Sequence, residues 1–317
     1  MTTLVTGGSG SLGRAVVQQL LERGWPVRVF DRRAPQTPAA GVEYVVGDLA
    51  DPAAVDKAVD GCSIVIHAGA VMKGTWEEHR RGTVEGTRNV VEACGKHGVG
   101  RLVHISSMSV IDWAGSDNGP VDEQARLEPH PERRGEYTRA KLEAERIVVA
   151  AAAAGLRCVI LRPGQIFGGG IPLINGAVAR EARGRWLVLG DGTLQLPLVY
   201  IDDVVQAILA AAAKNIPSGE IIHIVDPEHL TQDEVLAAAG GGKSVVHVPR
   251  GVVFALGKLS ELPLRVLGKQ SPIGAYRLKS ALARLRYDSD RAQSMLGWKP
   301  QVGVREGIRR VMQQAAR

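Results

Sequence analysis

Seven short apolar runs punctuate the chain, at residues 4–6, 27–30, 44–46, 64–67, 102–105, 159–161 and 221–225. They are rich in Val and Ile and nearly unbroken rather than alternating. That is the pattern of strands covered on both faces of a parallel sheet. Between them the apolar period lengthens to that of a helix, over residues 13–23, 55–59, 83–96 and 137–154. Three of these stretches close on a glycine able to end a helix: Gly24, Gly98 and Gly155. Strand–helix alternation of this kind predicts an α/β fold with a doubly wound parallel sheet.

Two segments break the rhythm. Residues 113–136 are polar and carry Gly115, Gly119, Pro120, Pro129 and Pro131, which predicts a long loop. After about residue 165 the regular alternation weakens, which predicts a smaller lobe assembled separately.

Composition narrows the class without naming a function. The 317 residues are 45% apolar and 23% charged, a globular balance that excludes disorder and collagen-like repeats. Cys62, Cys94 and Cys158 are three, with no CxxC spacing, so neither a disulfide framework nor a zinc site is expected. No run of about 18 uncharged apolar residues is present, and the N-terminus shows no signal-peptide pattern, so a cytoplasmic protein with no transmembrane segment is expected. The net charge of +6 is uneven. Residues 250–317 hold fourteen Lys/Arg against four acids, leaving the first 249 residues net acidic. Without aromatic-interleaved basic patches or a nucleic-acid motif, this excess reads as a solvated helix face, and no nucleic-acid partner is expected.

Chemistry enters directly after the first strand, with Thr6-Gly7-Gly8-Ser9-Gly10-Ser11-Leu12-Gly13 leading into a helix. A dinucleotide's pyrophosphate needs backbone N–H donors at a helix N-terminus and no Cβ in its way. Gly10 allows that approach, Gly13 lets helix and strand pack closely, and Gly7 permits the sharp turn. Asp31 ends the second strand about 20 residues on, where a carboxylate accepts both ribose hydroxyls of NAD and repels the 2′-phosphate of NADP. Arg32 and Arg33 follow, and a guanidinium suits a 2′-phosphate. NAD is therefore expected, with NADP left open. Residues 1–165 and 199–225 are assigned to this dinucleotide-binding unit, and 166–198 with 226–317 to a substrate-binding lobe.

Tyr137 and Lys141 stand four apart in Tyr137-Thr138-Arg139-Ala140-Lys141, on one helix face. A nearby cation favours a phenolate and lets a tyrosine exchange a proton near neutral pH. Upstream, a strand ends in Ile105-Ser106-Ser107. With these three elements in order, the chain resembles the extended short-chain dehydrogenase/reductases of the NAD-dependent epimerase/dehydratase superfamily. The resemblance runs on through Gly47-Asp48-Leu49, His67-Ala68-Gly69-Ala70, Leu161-Arg162-Pro163, Val199-Tyr200-Ile201-Asp202-Asp203-Val204 and Leu296-Gly297-Trp298-Lys299-Pro300.

The resemblance implies a Rossmann fold, a bound NAD and a small-molecule substrate. It implies Tyr137 as general acid/base, Lys141 as the cation that lowers its pKa and holds the nicotinamide ribose, and Ser107 as donor to the reacting oxygen, with Ser106 and Ser109 as alternatives. Cofactor contacts would come from Gly7, Gly10, Ser11, Leu12, Gly13, Asp31, Arg32, Asp48, Leu49, Ala68, Gly69, Ala70, Tyr137, Lys141 and Pro163. A homodimer through helices 83–96 and 137–154 is expected by the same analogy. Two positions depart from the family pattern. Thr83 stands where the motif NVxGT has Asn, which puts a water relay held by that residue in doubt. Leu196 stands where nucleotide-sugar members carry a diphosphate-binding Arg, and a leucine cannot bind a diphosphate. The expected function is an NAD(P)-dependent oxidoreductase interconverting a secondary alcohol and a ketone on a non-nucleotide, apolar substrate. The alternatives are a nucleotide-sugar epimerase/dehydratase and a non-catalytic NAD(P)-binding regulator. The apolar stretch 252–278, with Pro272 and Tyr276-Arg277-Leu278, is similar to the 3β-hydroxysteroid dehydrogenase-like branch of that family, and fits either a substrate-lining role or ordinary packing.

Overall fold

The computed structural model describes residues 2–116, 118–240, 242–255, 257–258 and 274–315. Its centre is a seven-stranded sheet of β1 (Thr2–Thr6), β2 (Val27–Asp31), β3 (Val42–Val46), β4 (Cys62–His67), β5 (Arg101–Ile105), β6 (Cys158–Pro163) and β7 (Glu220–Ile224). Spatial order is β7-β6-β5-β4-β1-β2-β3, and every pairing is parallel. Each strand corresponds to one of the seven apolar runs.

The unbroken character of those runs follows from what covers them. Leu4, Val65, Leu102 and Ile160 face one layer, with α2 (Pro52–Val59), α3 (Gly86–Lys96) and α4 (Glu136–Ala153). Their chain neighbours Val5, Ile66, Val103 and Val159 face the other, with α1 (Ser11–Glu22) and α5 (Ile201–Ala213). Successive side chains point to opposite faces and both faces are dry, so no polar alternation survives. The chain leaves β1 toward β2 and β3, then crosses back to β4 on the other side of β1. Ligands of open α/β sheets bind outside the strand C-termini at such a switch point.

A second core gathers Phe167, Leu173, Val188, Leu194, Leu196, Leu230, Leu236 and Ile308, beside a small sheet of Arg180–Ala182, Arg185–Leu189 and Val245–Val248. Ala292, Leu296 and Trp298, although late in the chain, join the core of the large sheet. Asp203, 1% exposed in the first turn of α5, ties them down. Its carboxylate accepts the N–H groups of Gln301 (2.6 Å), Val302 (3.0 Å) and Gly303 (3.0 Å), while its backbone oxygen takes the Trp298 indole N–H.

Two local expectations are revised. Residues 80–85 form a π-helical turn, so the regular helix starts at Gly86 rather than at residue 83. The predicted loop 113–136 contains a short strand, Pro120–Val121, paired with Arg286–Tyr287, and a helical turn, Pro131–Arg134. It is held by the buried Glu128 carboxylate, which takes Arg134 at 3.1 Å and the Tyr276 hydroxyl. In the stretch 252–278, Val253 packs with Leu278 and Leu282, while residue 256 and residues 259–273, Pro272 included, lie outside the described residues. The basic excess is partly met by acids from earlier segments: Arg284 pairs with Asp191, Arg291 with Glu220 and Arg305 with Glu228. Among the described residues, no helix is long and apolar enough to cross a membrane.

Candidate active site

Beyond the C-terminal ends of β1, β2, β4, β5 and β6 lies a cleft with a cavity of about 1060 Å³. At one end is the glycine loop. Gly7 has φ +71°, and a Cβ there would stand 2.7 Å from Gly69 Cα. A Cβ on Gly13 would stand 2.1 Å from the Gly7 carbonyl oxygen, so only glycine lets α1 come this close to the loop. Gly10 caps α1 without a side-chain bond, and no acid sits in its first turn. The N–H groups at that helix end are therefore available to an anion.

The expected contact residues line this one cleft: Gly7, Gly10, Ser11, Leu12, Gly13, Asp31, Arg32, Asp48, Leu49, Ala68, Gly69, Ala70, Ser107, Tyr137, Lys141 and Pro163. Asp31 also braces the loop, because its carboxylate accepts the Ser9 N–H at 3.0 Å and the Arg32 N–H at 2.7 Å. Behind the loop, Gly69 N–H donates to Thr6 Oγ1 at 3.1 Å, and Thr6 Oγ1 meets His67 Nδ1 at 2.7 Å. Thr87 gives its hydroxyl proton to the Thr83 carbonyl (2.6 Å), which assigns the proton on His67 to Nε2, 3.0 Å from Thr87 Oγ1. His67 is neutral accordingly, its pKa pushed down to about 3 by burial and then by Lys141.

The reactive end is built from the termini of β5 and β6 and the first turns of α4. Ser107 follows β5 and lines the cleft beside Tyr137. The alternatives separate from it: Ser106 turns its hydroxyl inward to Glu145 (2.5 Å), and Ser109 Oγ is buried without a partner. Burial pushes the Tyr137 phenol above its ordinary value, and a hydrogen bond with Ser107 pulls it back in part. The direction is opposite to the lowering expected from Lys141. That ammonium, Nζ donating 2.7 Å to the Ile105 carbonyl, has its own pKa lowered to about 8 by burial, against an opposing pull from Glu145. The Tyr137 ring meets the His79 ring edge-on, with centroids 6.5 Å apart.

Thr83 is buried, and its hydroxyl accepts the Val71 N–H at 2.9 Å, so it anchors the segment after β4. Leu196 is a core residue, 2% exposed. Sequence reasoning missed Val71, Met72, Lys73, Arg81, Gly82 and Ile171, which line the same cleft. Arg81 and Gly82 arrive there on the π turn, which has no sequence signature. Glu145, one helical turn beyond Lys141, was also missed.

A model of the NAD-dependent epimerase/dehydratase family matches residues 3–224. The chain is 33% identical to a 2-alkyl-3-oxoalkanoate reductase from Stenotrophomonas maltophilia, over all of both chains. It is 29% identical to a decarboxylating sterol-4-alpha-carboxylate 3-dehydrogenase from Saccharomyces cerevisiae, over 98% of this chain and 97% of that one. Its fold matches that of a short-chain dehydrogenase/reductase superfamily protein from Agrobacterium tumefaciens, solved with bound NAD. The TM-score is 0.78 at 22% identity, over 100% of this chain and 97% of that one.

Proposed function

Because the chain belongs to the NAD-dependent epimerase/dehydratase family, we propose that it is an NAD-dependent reductase of 3-oxo acids carrying an apolar chain, or the dehydrogenase of the corresponding 3-hydroxy acids. The activity class, an oxidoreductase working on a secondary alcohol or ketone of a non-nucleotide substrate, agrees with the named relatives. The observation that carries the reading is the convergence of Ser107, Tyr137 and Lys141 on the cleft that holds the glycine loop.

NAD fits these residues: the cradle around Gly7 and Gly13 is one a Cβ would fill, and the uncapped end of α1 faces it. When bound, the cofactor supplies or accepts a hydride at its nicotinamide. The chain's own groups do the rest. Tyr137 Oη exchanges the proton of the substrate hydroxyl, Ser107 Oγ donates to the same oxygen, and Lys141 holds the ribose. The glycine loop with Ser11 and Leu12 takes the pyrophosphate, Asp31 and Arg32 the adenosine ribose, Asp48 and Leu49 the adenine. Ala68, Gly69, Ala70 and Pro163 frame the remainder.

Two observations support a carboxylate-bearing substrate. Each named relative pairs an oxygen-bearing carbon with a neighbouring carboxylate in its substrate: 2-alkyl-3-oxoalkanoate and sterol-4-alpha-carboxylate. Lys73 and Arg81 line the same cleft as Glu78 and the apolar Met72, Ile166 and Ile171. A buried Leu196 supports a substrate without a diphosphate. A cytoplasmic location is part of the proposal, supported by three free, buried cysteines. So is a homodimer through α3 and α4, by analogy with the family.

The test is NADH oxidation, followed by absorbance, with a 2-alkyl-3-oxoalkanoate. Net oxidation in step with substrate loss is expected, and Tyr137→Phe should lower turnover ~10²–10⁴-fold while NADH still binds. Conversion without net change in NADH would favour an epimerase, and full activity of Tyr137→Phe would overturn the assigned chemistry.

A further inference from the structure

Beneath the cleft floor lies a buried polar cluster that the proposed chemistry does not use. Glu145 and Arg162 form an ion pair with side chains 2% exposed at both ends. Arg162 grips both carboxylate oxygens, Nη2 to Oε1 at 2.6 Å and Nε to Oε2 at 3.0 Å. Ser106 Oγ donates to Oε2 at 2.5 Å. Arg162 Nη1 reaches on to the Glu123 carbonyl at 3.4 Å and His223 Nε2 at 3.5 Å.

The cluster's place in the chain gives it meaning. Ser106 immediately precedes Ser107 at the end of β5. Arg162 immediately precedes Pro163 at the end of β6. Glu145 is one turn along α4 from Lys141, and Lys141 binds Ile105, the last residue of β5. One carboxylate thus joins the three segments that deliver Ser107, Lys141 and Pro163 to the cleft. Breaking such a pair on one side leaves a buried charge uncompensated, so its geometry is held firmly.

We propose that Glu145 is a positioning residue for the reaction: it locks the ends of β5 and β6 to α4 and supplies the counter-charge that keeps Lys141 an ammonium. The proposal rests on the oxidoreductase reading for the meaning of the site, not for the existence of the lock.

The groups facing Lys141 make Glu145 its one nearby anion among the described residues. From β4 comes His67 and from β5 His104, both buried, and burial together with the Lys141 charge keeps each imidazole neutral. From β6 comes Arg162, itself a cation committed to Glu145. On α4 itself Tyr137 is an uncharged phenol whose ionisation burial opposes. Without Glu145 the ammonium would face burial, neutral imidazoles and a guanidinium.

Glu145→Gln keeps an oxygen to accept the Ser106 hydroxyl and removes only the charge. NADH affinity is measured by nucleotide fluorescence across pH 6–10, which needs no substrate. In the wild type, affinity should fall on the alkaline side as Lys141 loses its proton. In Glu145→Gln that fall should begin about one pH unit lower, a tenfold change in the protonation equilibrium. With a working oxo-acid substrate, kcat should drop ~10–100-fold with KM little changed, because groups held in reacting geometry are disturbed. If the single variant does not fold, Glu145→Gln/Arg162→Met removes both buried charges, and a smaller shift in the same downward direction is expected, because a cation leaves with the anion. Ser106→Ala cuts the tie to β5 alone and should lower kcat without moving the alkaline limb. Variants that lose thermal stability yet superimpose on the wild type in the NADH–pH profile and in kcat would overturn the proposal. A wild type that binds NADH but turns over no oxo acid would instead count against the function, leaving the fluorescence profile to judge Glu145.

Discussion

Replacing Lys141 by Met should make the nucleotide-free protein more stable while destroying its activity. Burial lowers the Lys141 pKa from 10.5 to about 8. A difference of about 2.5 units, at ~1.36 kcal/mol each, is on the order of 3 kcal/mol of unfavourable free energy for burying the charged form. Below pH 8 the lysine is protonated in both folded and unfolded chains, so the whole cost is present. As pH rises from about 8 to 10.5 the folded chain alone sheds the proton, and the cost fades. Methionine fills a similar volume without the charge. It forfeits the ammonium's bond to the Ile105 carbonyl, worth about 2 kcal/mol. The gain at pH 7 should then be about 1 kcal/mol, a rise of roughly 2 °C in Tm for a chain of this size. Thermal unfolding followed by circular dichroism, without nucleotide, at pH 7 and pH 10 measures it. The gap should be clear at pH 7 and shrink at pH 10. A Lys141→Met protein that melts lower at pH 7, or a gap indifferent to pH, would refute the reasoning.

Two further outcomes follow from other carboxylates. Asp31→Ala should narrow the preference for NAD(H) over NADP(H) in binding titrations by removing repulsion of a 2′-phosphate, and should weaken NAD(H) itself because the Ser9 N–H loses its brace. A wild type that prefers NADP(H) would defeat that account. Asp203→Asn leaves one acceptor oxygen for three N–H groups, and should lower stability in urea titrations by ~2–3 kcal/mol; a loss under ~0.5 kcal/mol would show the clasp to be incidental.

The sheet was legible because burial on both faces writes itself into unbroken Val/Ile runs, as at residues 64–67 and 102–105. The glycine end of the cleft was legible for a related reason: glycine at 7 and 13 answers a local steric demand that leaves a mark in sequence. What escaped depends on distant partners. Nothing near residues 113–136 announces that Glu128 will hold Tyr276. Nothing near Arg81 announces a π turn. The Tyr137–Lys141 spacing was visible, yet the direction of the phenol's shift was not, because it is governed by burial that only the packed structure defines. Glu145 was the avoidable miss, since an acid four residues past Lys141 on one helix face is readable by spacing alone.

The Asp203 clasp bears on how the chain acquires its shape. Trp298 belongs to the same core as Val5, Ile66 and Val103, nearly the whole length of the chain away from the first of them. During synthesis the large sheet can form its ladder once residue 224 is available, but one flank of α5 stays bare until about residue 300 has been made. Closing so long a loop is slow, and apolar surface left open in the interval is prone to wrong partners. Asp203 meets the returning segment with a carboxylate aimed at three consecutive backbone donors, which recognises chain direction and conformation rather than any one side chain. A shortened chain ending before residue 298 would therefore keep every residue of the cleft's reactive end and still leave part of its main core uncovered, making it a poor candidate for a minimal active fragment.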